Sequence, residues 1–441
     1  MHQRLAVLGA GYVGLVTAVG MASLGHRVTV VEIRPDRLSA LLDGRVPIHE
    51  PDLQEAFDAA RLAGRLDVSG EIPGGPVDQV LVCVGTPMDD EGRADLAQLA
   101  GALGALPAAL TDGAVVVIRS TLPVGTSRSL LAWTGVPPER IVTNPEFLAQ
   151  GTAYRDFLNP TRVVLGTFTS AGAAAAARVR AGLAGLDAPV LEVTVEEAEL
   201  IKNAANAALA LRLSFTNEIA GLCEAYGADV THVMEGIGLD PRIGPRYLRA
   251  SFGFGGSCLP KELRTLAAAG RARGLPMHVT EAASNANLAS QDRFVERILE
   301  LVRVVPDPRV AVLGLAFKAD TDDVRASPAI HVVRRLIEAG CDVVAHDYAA
   351  SANARREVPG LRTVESPEEA FDGADIVAIA TEWPAYADLD WVGIQPRMRR
   401  PIVIDGRRIL DPARIVAAGF RHEATGSPWA RLAAPLATPA R

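Results

Sequence analysis

RLAVLGAGYVG, residues 4–14, decides the fold. A short apolar run ends at Gly9, glycines follow at 11 and 14, and an apolar helical stretch begins at once. Strand, glycine turn and helix in this order form the dinucleotide fingerprint in its required context. Gly9 allows the tight turn, Gly11 lets the backbone approach a pyrophosphate, and Gly14 lets helix and strand close up. The helix N-terminus adds free N–H donors and partial positive charge. A second strand over Arg27–Ile33 brings Glu32 to its end. A carboxylate there accepts hydrogen bonds from both ribose hydroxyls and repels a 2′-phosphate, so NAD is expected over NADP even with Arg34 and Arg37 close by.

The same texture continues outward. Strand patterns recur at Gln79–Val84, Ala114–Arg119, Arg140–Thr143 and Arg162–Gly166, spaced widely enough for helices. The string RVAVLG, residues 309–314, nearly repeats residues 4–9 and is followed by strand patterns at Asp342–Ala345, Ile376–Ala380 and Pro401–Ile404. Its turn reads GLAFKAD, without the glycine spacing, so the second unit is expected to keep the fold and hold something other than a dinucleotide. Between the two units no strand pattern appears, and Glu196 to Ile219 contains neither glycine nor proline, which predicts a long helix. Its alanine-rich middle points to a closely packed neighbour. The fold class is α/β: two Rossmann-like, doubly wound parallel-sheet domains joined by a long central helix and a helical middle domain. The boundaries are set at 1–195, 196–303 and 304–420, with a flexible tail over 421–441.

With 49% hydrophobic and 22% charged residues, 441 residues suffice for two or three buried cores. Net charge is −8, which leaves no basic footprint for nucleic acid. The N-terminus shows no secretory pattern and no apolar run is long enough for a membrane helix, so a soluble cytoplasmic protein is expected. Arginines cluster at Arg242, Arg246 and Arg249 and at Arg407–Arg408, where a phosphorylated ligand or plain solvation would both suit them.

Four cysteines are too few for a disulfide framework. Cys83, Cys223 and Cys341 lie in strand or helix patterns and read as buried apolar residues. Cys258 sits in GFGGSCLPKE, where Gly253, Gly255 and Gly256 deny it regular structure, and Lys261 or Lys202 could favour its thiolate. Lys202 and Asn206 share a helix face. Glu146 follows the strand Arg140–Thr143, Ser120 and Thr121 follow Ala114–Arg119, and Gly85 and Thr86 follow Gln79–Val84. Three strand ends thus meet at the edge where open α/β sheets bind ligands. The histidines are scattered and no metal is expected. NAD with a thiol nucleophile fits the oxidation of an aldehyde to an acid through a thiohemiacetal and a thioester. A simple two-electron dehydrogenase with a structural Cys258 stays open.

GAGYVG, CVGTP (83–87), STLPVGT (120–126), NPEFL (144–148), ELIKNAANA (199–207), GFGGSCLPK (253–261), GLAFKADTDDVRASP (314–328), TEWP (381–384) and DGRR (405–408) together resemble the nucleotide-sugar dehydrogenase family over nearly the whole chain. The resemblance implies a four-electron oxidation of UDP-glucose to UDP-glucuronate with two NAD. GDP-mannose or a UDP-N-acetylhexosamine is the alternative substrate, and a catalytically inactive nucleotide-sugar sensor the alternative role. It implies Cys258 as nucleophile, with Lys202, Asn206, Thr121, Glu146 and Glu262 assisting, and Glu146 activating water. The implied cofactor set is Gly9, Gly11, Tyr12, Val13, Gly14, Glu32, Arg37, Thr86, Thr121, Gln150, Lys261 and Arg325. The implied UDP-sugar set is Phe147, Leu148, Lys202, Asn206, Arg242, Phe252, Phe254, Gly255, Lys318 and Arg407. A homodimer through the long helix is also implied, with Arg242 supplied by the partner subunit. The chain departs from the family pattern at Glu262, usually aspartate, and Gln150, commonly glutamate.

Overall fold

The computed structural model describes residues 2–88, 94–106, 110 and 113–428. The chain divides into two compact units, Met1–Asn206 with Arg264–Met277, and Ala207–Leu263 with His278–Arg441.

The first unit is built on eight strands: β1 (Arg4–Leu8), β2 (Arg27–Val31), β3 (Leu66–Ser69), β4 (Gln79–Val82), β5 (Val115–Ile118), β6 (Ile141–Thr143), β7 (Val163–Thr167) and β8 (Val190–Thr194). Their order is β3-β2-β1-β4-β5-β6-β7-β8. The continuous Val, Ile and Leu runs of β1, β4 and β5 are buried on both faces, as a sheet covered by helices requires. The edge strands β3 and β8 escape the sequence reading because LDVS and VLEVT are partly exposed and carry no such run.

One pair departs from the expected parallel sheet. β7 runs antiparallel to β6, with Val142 opposite Thr167. It therefore starts at the end where β6 stops, and residues 144–162, including the helix Ala153–Leu158, stay at that end without crossing the sheet. The ends of β4, β5 and β6 are neighbours in the sheet order, which puts Thr86, Thr121 and Glu146 on adjacent strand ends.

The second unit carries β9 (Arg309–Leu313), β10 (Asp342–His346), β11 (Arg362–Thr363), β12 (Ile376–Ile379), β13 (Ile402–Asp405) and β14 (Arg421–Ala424), in the order β11-β10-β9-β12-β13-β14 and all parallel. β9 is the counterpart of β1. β14 corrects the tail expected from residue 421: Arg421–Ala424 pair with Ile402–Asp405 and close the sheet edge, and Glu423 is buried against Arg297 at 2.8 Å. The remainder of that expected tail, 429–441, lies outside the described residues.

The predicted long helix spans Val195–Tyr226, 32 residues, or about 48 Å at 1.5 Å per residue. Leu200, Phe215, Leu222 and Tyr226 are exposed along it. No helix among the described residues is long and apolar enough to cross a membrane.

Candidate functional site

In the first unit the glycine turn has the geometry its sequence predicts. Gly9 adopts φ +93° and donates to the Val31 carbonyl at 2.8 Å. A Cβ on Gly14 would lie 1.8 Å from the Gly9 oxygen, so helix and strand touch at a distance only glycine permits. Glu32, just past β2, braces this turn: its carboxylate accepts from the Ala10 N–H at 3.0 Å and the Arg34 N–H at 2.9 Å. The Arg34 guanidinium turns away to Asp36 at 2.7 Å. Arg37 instead lies over the turn, its Nη1 3.9 Å from where a Cβ on Gly11 would stand. A helix N-terminus, a close-packed glycine turn, a carboxylate and one arginine above it suit a dinucleotide's diphosphate and ribose.

At the neighbouring strand ends the Thr86 hydroxyl donates to the Thr121 carbonyl at 2.8 Å, tying the ends of β4 and β5 together. Beyond β6, Asn144 donates from its amide side chain to Val164 at 2.8 Å and accepts from buried Arg119. Burial lowers the pKa of that arginine. Glu146 follows. Its Oε2 accepts from the Leu148 N–H at 2.6 Å, and its Oε1 lies 3.2 Å from the Lys202 ammonium. The Lys202 and Glu146 side chains are only 3% and 5% exposed, so an ion pair links the long helix to the end of β6. Phe147 lies beneath the Arg162 guanidinium at 3.7 Å and within 5.4 Å of Lys202. Gln150 lies just before the short helix Ala153–Leu158, and the N–H groups of Gly151, ahead of that helix, and Ala153, its first residue, both donate to the buried Glu50 carboxylate at 2.7 Å.

The same helical turn reaches a second strand end. Glu199 accepts from the N–H groups of Gly125 at 2.5 Å and Ser127 at 2.6 Å, and Asn203 donates to the Leu122 carbonyl at 2.9 Å. Burial pushes the Glu199 carboxyl above its ordinary pKa, while the donors of Ser127 and Gly125 pull it back. The sequence reading passed over Glu199 and Asn203. Their spacing around Lys202, three before and one after, is the signal that could have found them.

In the second unit the glycine loop is shaped by close approach. A Cβ on Gly255 would lie 2.1 Å from the Ala326 carbonyl oxygen, and Gly256, at φ +88°, donates to Arg325 at 3.1 Å. Phe254 is held through both backbone groups by the Asn287 side chain, at 2.9 and 3.0 Å. Phe252 stacks on Phe294 at 4.4 Å and donates to the Gly406 carbonyl. Arg407 is buried, not solvated: it donates to the carbonyls of Ala380 at 2.8 Å and Gly253 at 2.9 Å and lies 4.7 Å above the Phe252 ring. Burial pulls its pKa down. Arg408 pairs inward with Asp229 at 2.8 Å, and Arg249 donates to the Arg408 carbonyl at 3.1 Å. Arg325 pairs with Asp323 at 2.6 Å, Lys318 lies 5.9 Å from the Phe317 ring, and Arg242 is exposed and paired with Asp240 at 2.6 Å.

Cys83, Cys223 and Cys341 are buried, and burial pushes the Cys83 thiol up to about 12. Cys258 is half-buried and immediately precedes the helix Leu259–Arg271. The Cys258 carbonyl accepts from the Glu262 N–H at 2.9 Å. A sulfur at a helix N-cap sits where the helix dipole favours negative charge. Lys261 and Glu262 follow within the first turn, Glu262 buried.

The turn after β9 keeps the first glycine and the bracing carboxylate of the first unit's turn. Gly314 takes φ +97° and donates to the His346 carbonyl at 2.8 Å, as Gly9 does to Val31. Asp347 then accepts from the Leu315 and Ala316 N–H groups at 2.6 and 3.0 Å, in the place Glu32 occupies in the first unit.

A dinucleotide turn on one Rossmann-like sheet, a second such sheet with an altered turn, and an N-cap cysteine define an α/β dehydrogenase. The chain belongs to the UDP-glucose/GDP-mannose dehydrogenase family. The family's NAD binding domain matches residues 3–183, its central domain 196–289 and its UDP binding domain 311–412. The UDP-glucose 6-dehydrogenase of Bacillus subtilis (strain 168) is 36% identical over 440 residues, covering 97% of this chain and 94% of that protein. Among solved structures, a UDP-glucose dehydrogenase from the hyperthermophilic archaeon Pyrobaculum islandicum has a TM-score of 0.87 at 36% identity, covering 97% of this chain and 98% of its own. A UDP-D-ManNAc dehydrogenase from Pyrococcus horikoshii has a TM-score of 0.83 at 28% identity, covering 96% and 99%.

Proposed function

We propose that this chain oxidises UDP-glucose to UDP-glucuronate by four electrons, with Cys258 carrying the sugar between the two oxidations. The observation that carries the reading is the state of Cys258: alone among the four cysteines it is not buried, and it stands at the N-cap of a helix behind a close-packed glycine loop. Bound NAD supplies the hydride acceptor for both oxidations.

The chain's residues do the rest. Lys202 and Asn206 stabilise the oxygen on the sugar's sixth carbon as it gains negative charge. The Cys258 sulfur adds to the aldehyde carbon, and the carbonyl oxygen becomes the hydroxyl of a thiohemiacetal. After the second oxidation the carbon is held as a thioester. Glu146 takes a proton from water as the water oxygen bonds to that carbon, and the carbon–sulfur bond breaks to return the thiol and release the acid. Thr86, Thr121, Arg37 and Arg325 serve the cofactor. Gly255, Phe254, Lys318 and Arg407 serve the nucleotide sugar, with Arg242 contributed across a homodimer formed on the long helix, whose exposed Leu200, Phe215, Leu222 and Tyr226 suit burial against a second copy.

Limiting UDP-glucose with excess NAD tests the reading. Two NADH per sugar are expected; one NADH with an aldehyde product would reject the thioester route. The Pyrococcus horikoshii neighbour favours one further substrate class, UDP-N-acetylated hexosamines. Turnover on such a sugar without turnover on UDP-glucose would transfer the assignment.

A further inference from the structure

We propose that Glu199 is a positioning residue for the oxidation, holding the loop Thr121–Ser127 that follows β5; this rests on the reading of Thr121 as a cofactor contact. Glu199 touches neither reacting group, yet it is almost fully buried and spends both carboxylate oxygens on one loop, at 2.5 Å from the Gly125 nitrogen and 2.6 Å from the Ser127 nitrogen. Asn203, one turn further along and fully buried, donates to Leu122 at 2.9 Å and to the Glu199 carbonyl at 2.9 Å. Thr86 holds the Thr121 carbonyl at 2.8 Å. The loop is thus fastened at Thr121, Leu122, Gly125 and Ser127, and three of those four points lie on one turn of the long helix. Lys202, between Glu199 and Asn203, fastens Glu146 at the next strand end. A single helical turn therefore sets the spacing between Thr121 and Glu146.

The backbone N–H groups of Gly125 and Ser127, two residues apart and both directed at Glu199, demand two acceptor atoms. A carboxylate offers both. A glutamine of the same shape offers one oxygen and turns its NH₂ toward the second N–H, so that donor faces donor and the loop must shift. A displacement of about 1 Å in a positioned group can cost on the order of a hundredfold in rate.

The test uses the full chain as Glu199→Gln and Glu199→Asp. NAD and UDP are titrated separately by calorimetry well below each variant's melting temperature, and kcat and KM for NAD are measured with UDP-glucose. The expected result is about a tenfold rise in the NAD dissociation constant and in its KM for Glu199→Gln, a smaller rise for Glu199→Asp, which keeps two acceptors, and UDP affinity unchanged in both. Unchanged NAD binding in Glu199→Gln would overturn the proposal. So would an equal loss of UDP affinity, which would mark general loosening. Should Glu199→Gln fail to fold, Asn203→Ala replaces it, with several-fold weaker NAD binding expected and unchanged binding overturning the idea. Because NAD binding needs no turnover, a wild-type chain that binds NAD but does not oxidise UDP-glucose would reject the reaction while leaving the role of Glu199 to be decided by the same titration.

Discussion

Replacing Lys202 with methionine isolates the buried ion pair. The substitution keeps most of the side chain's volume and removes the ammonium 3.2 Å from Glu146, where both side chains are at most 5% exposed. Breaking a buried pair on one side costs about 3–5 kcal/mol, because the remaining charge stays out of water. A loss of about 3 kcal/mol in a unit of this size lowers the melting temperature by about 6–12 °C. Scanning calorimetry at pH 7 on Lys202→Met, Glu146→Gln and the double variant reads this directly. The double variant should recover most of the loss, since no uncompensated charge is left, yet should produce no acid, since both proposed catalytic groups are gone. A single variant as stable as wild type, or a double variant no more stable than Lys202→Met, would refute the ion-pair argument.

Cys258→Ala should retain UDP and NAD binding by titration and lose at least about a thousandfold in NADH formation from UDP-glucose. Gly14→Ala drives a Cβ to 1.8 Å from the Gly9 oxygen, so NAD binding measured by calorimetry should weaken by more than about tenfold while UDP binding holds. Arg407→Lys keeps the charge but cannot hold the Ala380 and Gly253 carbonyls together, and should weaken UDP binding about tenfold or more. His26 is held neutral: its Nδ1 accepts from the Gln3 N–H at 3.1 Å, its Nε2 meets the Gly182 carbonyl at 2.7 Å, and burial lowers its pKa from 6.5. The unfolded chain then binds this proton more readily, so the His26 contribution is present above pH 6.5 and is lost as pH falls below it through the depressed value. The fall in melting temperature between pH 7.5 and 5.5 should be smaller in His26→Gln than in wild type; an equal fall would reject the assignment.

Much of this protein was legible locally. The glycine turn, its acid and the buried parallel strands were readable because each depends on residues a few positions apart: Gly9, Gly11 and Gly14 act within one turn, and β4 or β5 declares itself as an unbroken apolar run. The helix Val195–Tyr226 was readable for the same reason, as a stretch without breakers over most of its length. Family membership, too, lay in short ordered motifs spread along the chain.

What only the tertiary structure decided are the pairings between distant segments. The antiparallel β7, which keeps Glu146 and Phe147 at the end of the sheet, has no local signature, because direction is a property of two strands and not of one. The Lys202–Glu146 pair joins residues with no marker in either segment for the other, and Arg407, whose sequence context suits a phosphorylated ligand or solvation alike, is buried because three separate loops bring their carbonyls to it. Asp347 reaches the turn after β9 from the end of the next strand, and β14 is a strand only because β13 offers it an edge. A sequence states what each segment can satisfy by itself; buried charges and sheet edges must be satisfied by whichever segment folding brings to them, and that choice is made in three dimensions.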